Sequence, residues 1–310
     1  MRIVRGSTVA RAIALVASAA CTSSPRVSPP PPAFQNPSPM VERSRAHDRL
    51  TPRERPGRTD TLTGILPRPV HLFVPAGVHA ARAPRLLVHF LGPAFIAVEA
   101  AARADSTMVV ATVNLTAGSS AYEQPFRDIT TWHRLLEAVD STLYTQTTGS
   151  ASRGRVYLSA FSAGNGAVRA ILADSASAAG IAGVVILDGI HTGYEPARRV
   201  LAEGGTLDPT NLQSLLRYAR RATRGEVRML ITHSEIFPGT FASTTETANW
   251  LIDQVGLART RTLEWGPLGM QQISRASSGA LSVLSFAGNS APDHVDHLHA
   301  LPWFLETMLR

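Results

Sequence analysis

Ser162 stands between Ala160 and Gly164 in the run 155–170, RVYLSAFSAGNGAVRA. The five residues Ala160-Phe161-Ser162-Ala163-Gly164 fit the G-x-S-x-G pattern of a nucleophile elbow, with alanine in place of the first glycine. Small residues two before and two after the serine let the chain fold back sharply, which presents the hydroxyl for attack on a carbonyl once a base removes its proton. Candidate bases crowd one short segment, Asp293-His294-Val295-Asp296-His297-Leu298-His299. Three histidines and two aspartates there also suggest a metal site, but the i, i+4 histidine pair of an H-E-x-x-H helix is missing. The plain alternative for Ser162 is an ordinary tight turn.

The elements that must hold these residues follow from apolar patterning. Val156, Tyr157 and Leu158 predict a strand before Ser162; Ala167, Val168, Ala170, Ile171 and Leu172 predict a buried helix after it. Further strands are predicted over 70–74, 85–90, 108–113, 181–187, 227–231 and, last, 281–286. Apolar residues at helical spacing mark a helix over 129–143. Strands buried on both faces and alternating with helices predict an α/β protein, a mostly parallel sheet covered on two sides. Residues 189–225 form an excursion with one helix near 212–222, expected to overhang the sheet as a small cap. Val295, Leu298, Leu301, Leu305 and Met308 make one stripe of a final helix, predicted to start near Asp293 as its cap.

This order of parts resembles the α/β-hydrolase fold over about residues 60–310. Val88-His89-Phe90-Leu91-Gly92 and Gly118-Ser119-Ser120-Ala121-Tyr122 are similar to segments of secreted bacterial members. The resemblance implies a chain order of nucleophile, acid, histidine. It implies Ser162 as nucleophile and a base after the last strand, with His294 at the helix start first, His297 one turn on second, and His299 facing elsewhere. Two acids stay open: Glu235, the positional match after strand 227–231, and Asp188, at the end of the preceding strand. Either could hold the imidazole in one tautomer. The oxyanion donors implied are the N–H of Ala163 and one from Leu91 or Gly92, since Pro93 has no N–H to give. Phe161, Tyr122 and Trp132 are candidates to line the acyl pocket. The expected activity is ester hydrolysis by acyl transfer on a small-molecule substrate, without a cofactor or metal. The rival readings are an inactive hydrolase-fold binding protein and a metal-dependent hydrolase.

Composition narrows the partners. The 310 residues carry a formal charge of +7 with no lysine. Residues 1–60 hold ten arginines against four acids, so the body is nearly neutral and nucleic acid is not an expected partner. Arg2, Arg5 and Arg11 precede the apolar run 12–20, too short to span a bilayer, which predicts a secretory signal over 1–21. It ends in Ser18-Ala19-Ala20-Cys21, resembling a bacterial lipobox, and Cys21 is the only cysteine. Export with a lipid anchor on Cys21 is expected, or simple cleavage. Residues 22–57, rich in Pro, Ser and Arg, read as a disordered tether to a domain over 58–310.

Overall fold

A computed structural model of the chain describes residues 48–310. The expected signal, the lipidation at Cys21 and the tether as far as residue 47 lie outside the described residues. Among the described residues twelve strands form, in the order β1 (Gly57–Leu62), β2 (Val70–Pro75), β3 (Leu86–Phe90), β4 (Val109–Val113), β5 (Val156–Phe161), β6 (Ile181–Leu187), β7 (Tyr194–Glu195), β8 (Thr206–Leu207), β9 (Arg228–His233), β10 (Thr260–Trp265), β11 (Gln271–Ser278) and β12 (Leu281–Phe286). All but β7 and β8 join one ten-stranded sheet, ordered β1-β2-β4-β3-β5-β6-β9-β12-β11-β10. The strands from β4 to β12 in that order run parallel, and two antiparallel strands extend each side.

Alternation along the parallel strands divides the core in two. Val156, Leu158 and Ala160 of β5 face one apolar cluster; Tyr157 and Phe161 face the other. Over the first lie helices α2 (Ser119–Arg127), α3 (Ile129–Gln146), α4 (Asn165–Ala173), α6 (Gln213–Thr223) and α7 (Thr244–Gln254); α5 (Ser175–Gly180) joins α4 to β6. Over the second lie α1 (Ala94–Ala104), α8 (Ala291–His299) and α9 (Leu301–Leu309). A parallel sheet coated on both faces, with its strands in this order, is the α/β-hydrolase fold. Chain order reverses at β3, where the next strand β4 goes to one side and β5 to the other. Ligands of open α/β sheets bind beyond the carboxyl ends of strands at such a switch point, and Ser162 directly follows β5.

The structure departs from expectation in three places. Residues 49–57, read as tether, lie against the body: Arg49 donates to the carboxylate of Asp296 at 2.9 Å and to Pro292 O, and Arg55 grips Glu99. Apart from Leu50, which packs on the second apolar cluster, these contacts are polar, so an apolar period cannot announce them. Helix α6 buries Leu215, Leu216, Tyr218, Ala219 and Ala222, which makes it a cover for the sheet, leaving only 189–211 as the overhang. Finally, α8 is capped by Ser290, whose side chain and that of Asp293 bond each other's backbone N–H in a capping box. Asp293 is the third residue of that helix rather than its cap.

Candidate functional site

The elbow is a backbone device first. Ser162 has φ +49°, a conformation that costs a residue with a Cβ about 1–3 kcal/mol and persists only where the surroundings enforce it. They do so by close approach. A Cβ on Gly164 would lie 2.3 Å from Phe90 O, and one on Gly189 would lie 2.6 Å from Ser162 O. Both positions need glycine because β3 and the loop after β6 run in backbone contact with the turn. Ala160, fully buried beneath, takes the place where the motif has glycine.

Asp188 directly follows β6 with φ +43°, and its N–H bonds Thr232 O at 2.9 Å. Its buried carboxylate accepts four hydrogen bonds. Ser234 N–H (2.8 Å) and the Thr244 hydroxyl (2.6 Å) donate to Oδ1; the Ser234 hydroxyl (2.7 Å) and His294 Nδ1–H (2.7 Å) donate to Oδ2. Burial acts to raise its pKa, but the imidazoles of His297 and His294 and the Thr244 hydroxyl outweigh it, holding the carboxyl well below the usual range. An ionised Asp188 fixes His294 with its proton on Nδ1, which leaves Nε2 as an acceptor. The His294 ring lies on Phe161, centroids 4.5 Å apart. Phe161 is therefore a floor for the imidazole, while Tyr122 and Trp132 are buried in the core and line no part of the site.

Ser162, Ala163, Asp188 and His294 share the wall of one cavity of about 810 Å³. No hydrogen bond joins Ser162 to His294 among the described residues; such contacts commonly tighten only around a substrate. Of the two acids, the structure brings Asp188 to the imidazole and leaves Glu235 exposed, with its backbone N–H on Gly288 O. Ser234, one residue earlier, is the member of that loop that reaches the site. His297 is buried away from the cavity, with Nδ1 on the Thr232 hydroxyl at 2.7 Å and its ring edge-on to Phe286. His299 lies beside Phe95. The three histidines diverge, and among the described residues no group of three or more His, Cys, Asp or Glu is arranged to hold a metal ion.

The second oxyanion donor needs correction. Leu91 N–H is spent on Val113 O (3.0 Å), and Gly92 N–H on Asn114 Oδ1 (2.9 Å). Neither residue lines the cavity. The opening turn of α2, Gly118 to Ser120, does line it, and the first N–H groups of a helix have no intrahelical acceptor. Sequence reading also missed the supports of Asp188, because Ser234 and Thr244 meet it only through the packing of β9 and α7 beside β6.

Two buried imidazoles set an acid limit on the fold. His89 and His233 are pushed down from 6.5 to about 4, each chiefly by burial. His233 is held between the Thr245 hydroxyl and Arg259, which donates to Nε2. Unfolded, both titrate near 6.5 and bind protons that the folded state refuses. Stability is therefore complete above pH 6.5 and falls as pH drops toward 4, by about 3 kcal/mol per imidazole at most. Asp188, with a depressed pKa, adds its loss only below about pH 4. Urea midpoints measured from pH 7.5 to 4.5 should decline through this window; a flat profile would contradict the burial of both rings.

No protein-family model matches the chain, and no curated protein matches its sequence. Solved structures do match in shape. An ester hydrolase from the metagenome of Lake Arreo, in complex with a bipyridine phosphonate derivative, covers 87% of this chain and 86% of its own, at 14% identity and a TM-score of 0.47. A cold-adapted esterase from an Arctic intertidal metagenomic library covers 84% and 100%, at 11% identity and 0.45. S-formylglutathione hydrolase from Staphylococcus aureus covers 84% and 100%, at 12% identity and 0.43.

Proposed function

We propose that this α/β-hydrolase-fold protein is a serine hydrolase that cleaves carboxylic esters through Ser162, His294 and Asp188. The observation that carries the reading is the 2.7 Å bond from His294 Nδ1 to a buried, four-fold hydrogen-bonded Asp188, on the wall of the cavity that also holds the strained Ser162. In the proposed cycle, His294 Nε2 takes the Ser162 proton as Oγ attacks the ester carbonyl. Ala163 N–H stabilises the tetrahedral oxyanion, with a second donor from the opening turn of α2. The imidazolium then protonates the departing alcohol, Asp188 stabilising its charge. Water, activated by the same base, releases the acid and restores the serine.

A binding protein on the same scaffold is favoured by one observation, the commitment of both Leu91 and Gly92 N–H groups elsewhere. A fluorophosphonate probe separates the readings. The hydrolase should take up one phosphonyl group at Ser162, located by peptide mass spectrometry, and none in Ser162→Ala. An unlabelled wild-type protein under conditions that label a known serine esterase would leave the binding role. The arginine-led apolar start and Cys21 support export and anchoring at the cell envelope as part of the same proposal.

A further inference from the structure

The cavity has a charged end that the acyl-transfer chemistry does not use. Arg169 of α4 and Glu123 and Arg127 of α2 line it together with Ser162. Glu123 is shared: Oε2 accepts from Arg169 at 2.7 Å and Oε1 from Arg127 at 3.0 Å. One carboxylate thus serves two guanidinium groups. Arg169 is 93% buried, and its Nε–H has no hydrogen-bond partner among the described residues. That atom is closed to solvent, so what the cavity offers a ligand is the incompletely balanced charge of the guanidinium rather than that donor, and a buried cation that shares its one carboxylate is costly until a second anion joins it. Asp208, a second acid whose charge acts on Arg169, lies outside the cavity lining and accepts Thr210 N–H. His191, on the same wall, senses the excess: after burial, repulsion from Arg169 is the largest influence lowering its pKa, ahead of the opposing attraction of Asp188.

Position relates this end to the nucleophile. Arg169 lies seven residues after Ser162, along the 3₁₀ turn and helix that the elbow starts, a rise of about 10 Å. Helical side chains lean toward the N-terminus, here toward the serine. The gap left between the guanidinium and the attacked carbonyl is that of a short chain. Planar, bidentate guanidinium groups suit carboxylates.

Resting on the ester-hydrolase reading above, we propose that Arg169, assisted by Arg127, binds a carboxylate carried by the ester substrate a few bonds from the scissile carbonyl. Two matched pairs locate that carboxylate. The adipic acid mono-4-nitrophenyl ester against 4-nitrophenyl hexanoate tests the acyl side; 3-carboxyphenyl butyrate against phenyl butyrate tests the alcohol side. A charge-assisted hydrogen bond is worth about tenfold or more in kcat/KM, so the anionic member of one pair should be preferred by that factor. The preference should vanish in Arg169→Met and shrink in Arg127→Gln, which alters an exposed side chain and serves alone if Arg169→Met does not fold. No preference in either pair, or a preference unchanged in the variants, overturns the proposal.

A binding arm keeps this separate from catalysis. Calorimetry of adipate and of 3-hydroxybenzoate on the Ser162→Ala protein should show one of them binding, about tenfold more weakly when either arginine is also replaced. Absence of binding, or binding indifferent to both arginines, overturns the anion site. Arginine-dependent binding by a chain whose wild type hydrolyses neither ester pair would uphold the site and sink the hydrolase reading.

Discussion

Ser162→Ala is expected to lower kcat/KM for a short-chain ester by about 10⁴-fold or more while leaving the thermal midpoint nearly unchanged. The two halves of that result have separate causes. The hydroxyl is the only atom that can form the covalent intermediate, whereas alanine meets the same positive φ and the same close approach of Gly189 to its backbone that serine does. His294→Ala should cost a comparable factor, and the double variant should be little worse than either single one, because both residues serve one proton-coupled attack. Steady-state kinetics with melting curves on the three proteins test this. Near-normal turnover by the folded Ser162→Ala protein would end the nucleophile assignment.

Asp188→Asn should reduce kcat by about 10³- to 10⁴-fold, while Glu235→Gln changes it less than about twofold. An asparagine must turn either its oxygen or its amide toward His294. With Ser234 N–H and the Thr244 hydroxyl both donating to Oδ1, the oxygen is held there and the amide faces the ring. The amide then donates to Nδ1, the proton moves to Nε2, and the imidazole presents a donor where the serine needs an acceptor. The amide also opposes the Ser234 hydroxyl donor, so a stability loss of about 1–3 kcal/mol should accompany the kinetic one. Kinetics and urea unfolding of the two variants decide it. A dead Glu235→Gln beside an active Asp188→Asn would reverse the roles.

What was legible in the chain was what is local. Apolar runs gave the inner strands, since a strand buried on both faces carries its signature in consecutive residues. The elbow was readable because its turn, strand and helix adjoin in sequence. The flanking strands β1, β10 and β11, GRTDTL, TRTLEW and QQISRASS, were not, as each shows water one face or more and lacks an apolar run. The acid stayed open between Glu235 and Asp188 because both follow strands at the same sheet edge. Only the adjacency of β6 and β9 decides which carboxylate meets His294, and that is a fact of topology. The bonding of Leu91 and Gly92 is out of reach of sequence for a similar reason: their N–H groups are taken by Val113 and Asn114, more than twenty residues away. Arg169 hid in plain view within an apolar helix.

The backbone contact between Gly189 and Ser162 divides the labour of motion. With the Ser162 carbonyl packed against Gly189, the residue that follows Asp188, nucleophile and acid rest on one another's backbone, so that re-aiming one presses on the other. Any widening needed to admit a bulky substrate falls to borders such as His191 to Gly193 and Ile236 to Phe241, which have no regular secondary structure and meet each other through the His191 and Phe241 rings. Variation in those two rims can alter which esters enter and how quickly products leave, while the aim of the reacting groups stays fixed.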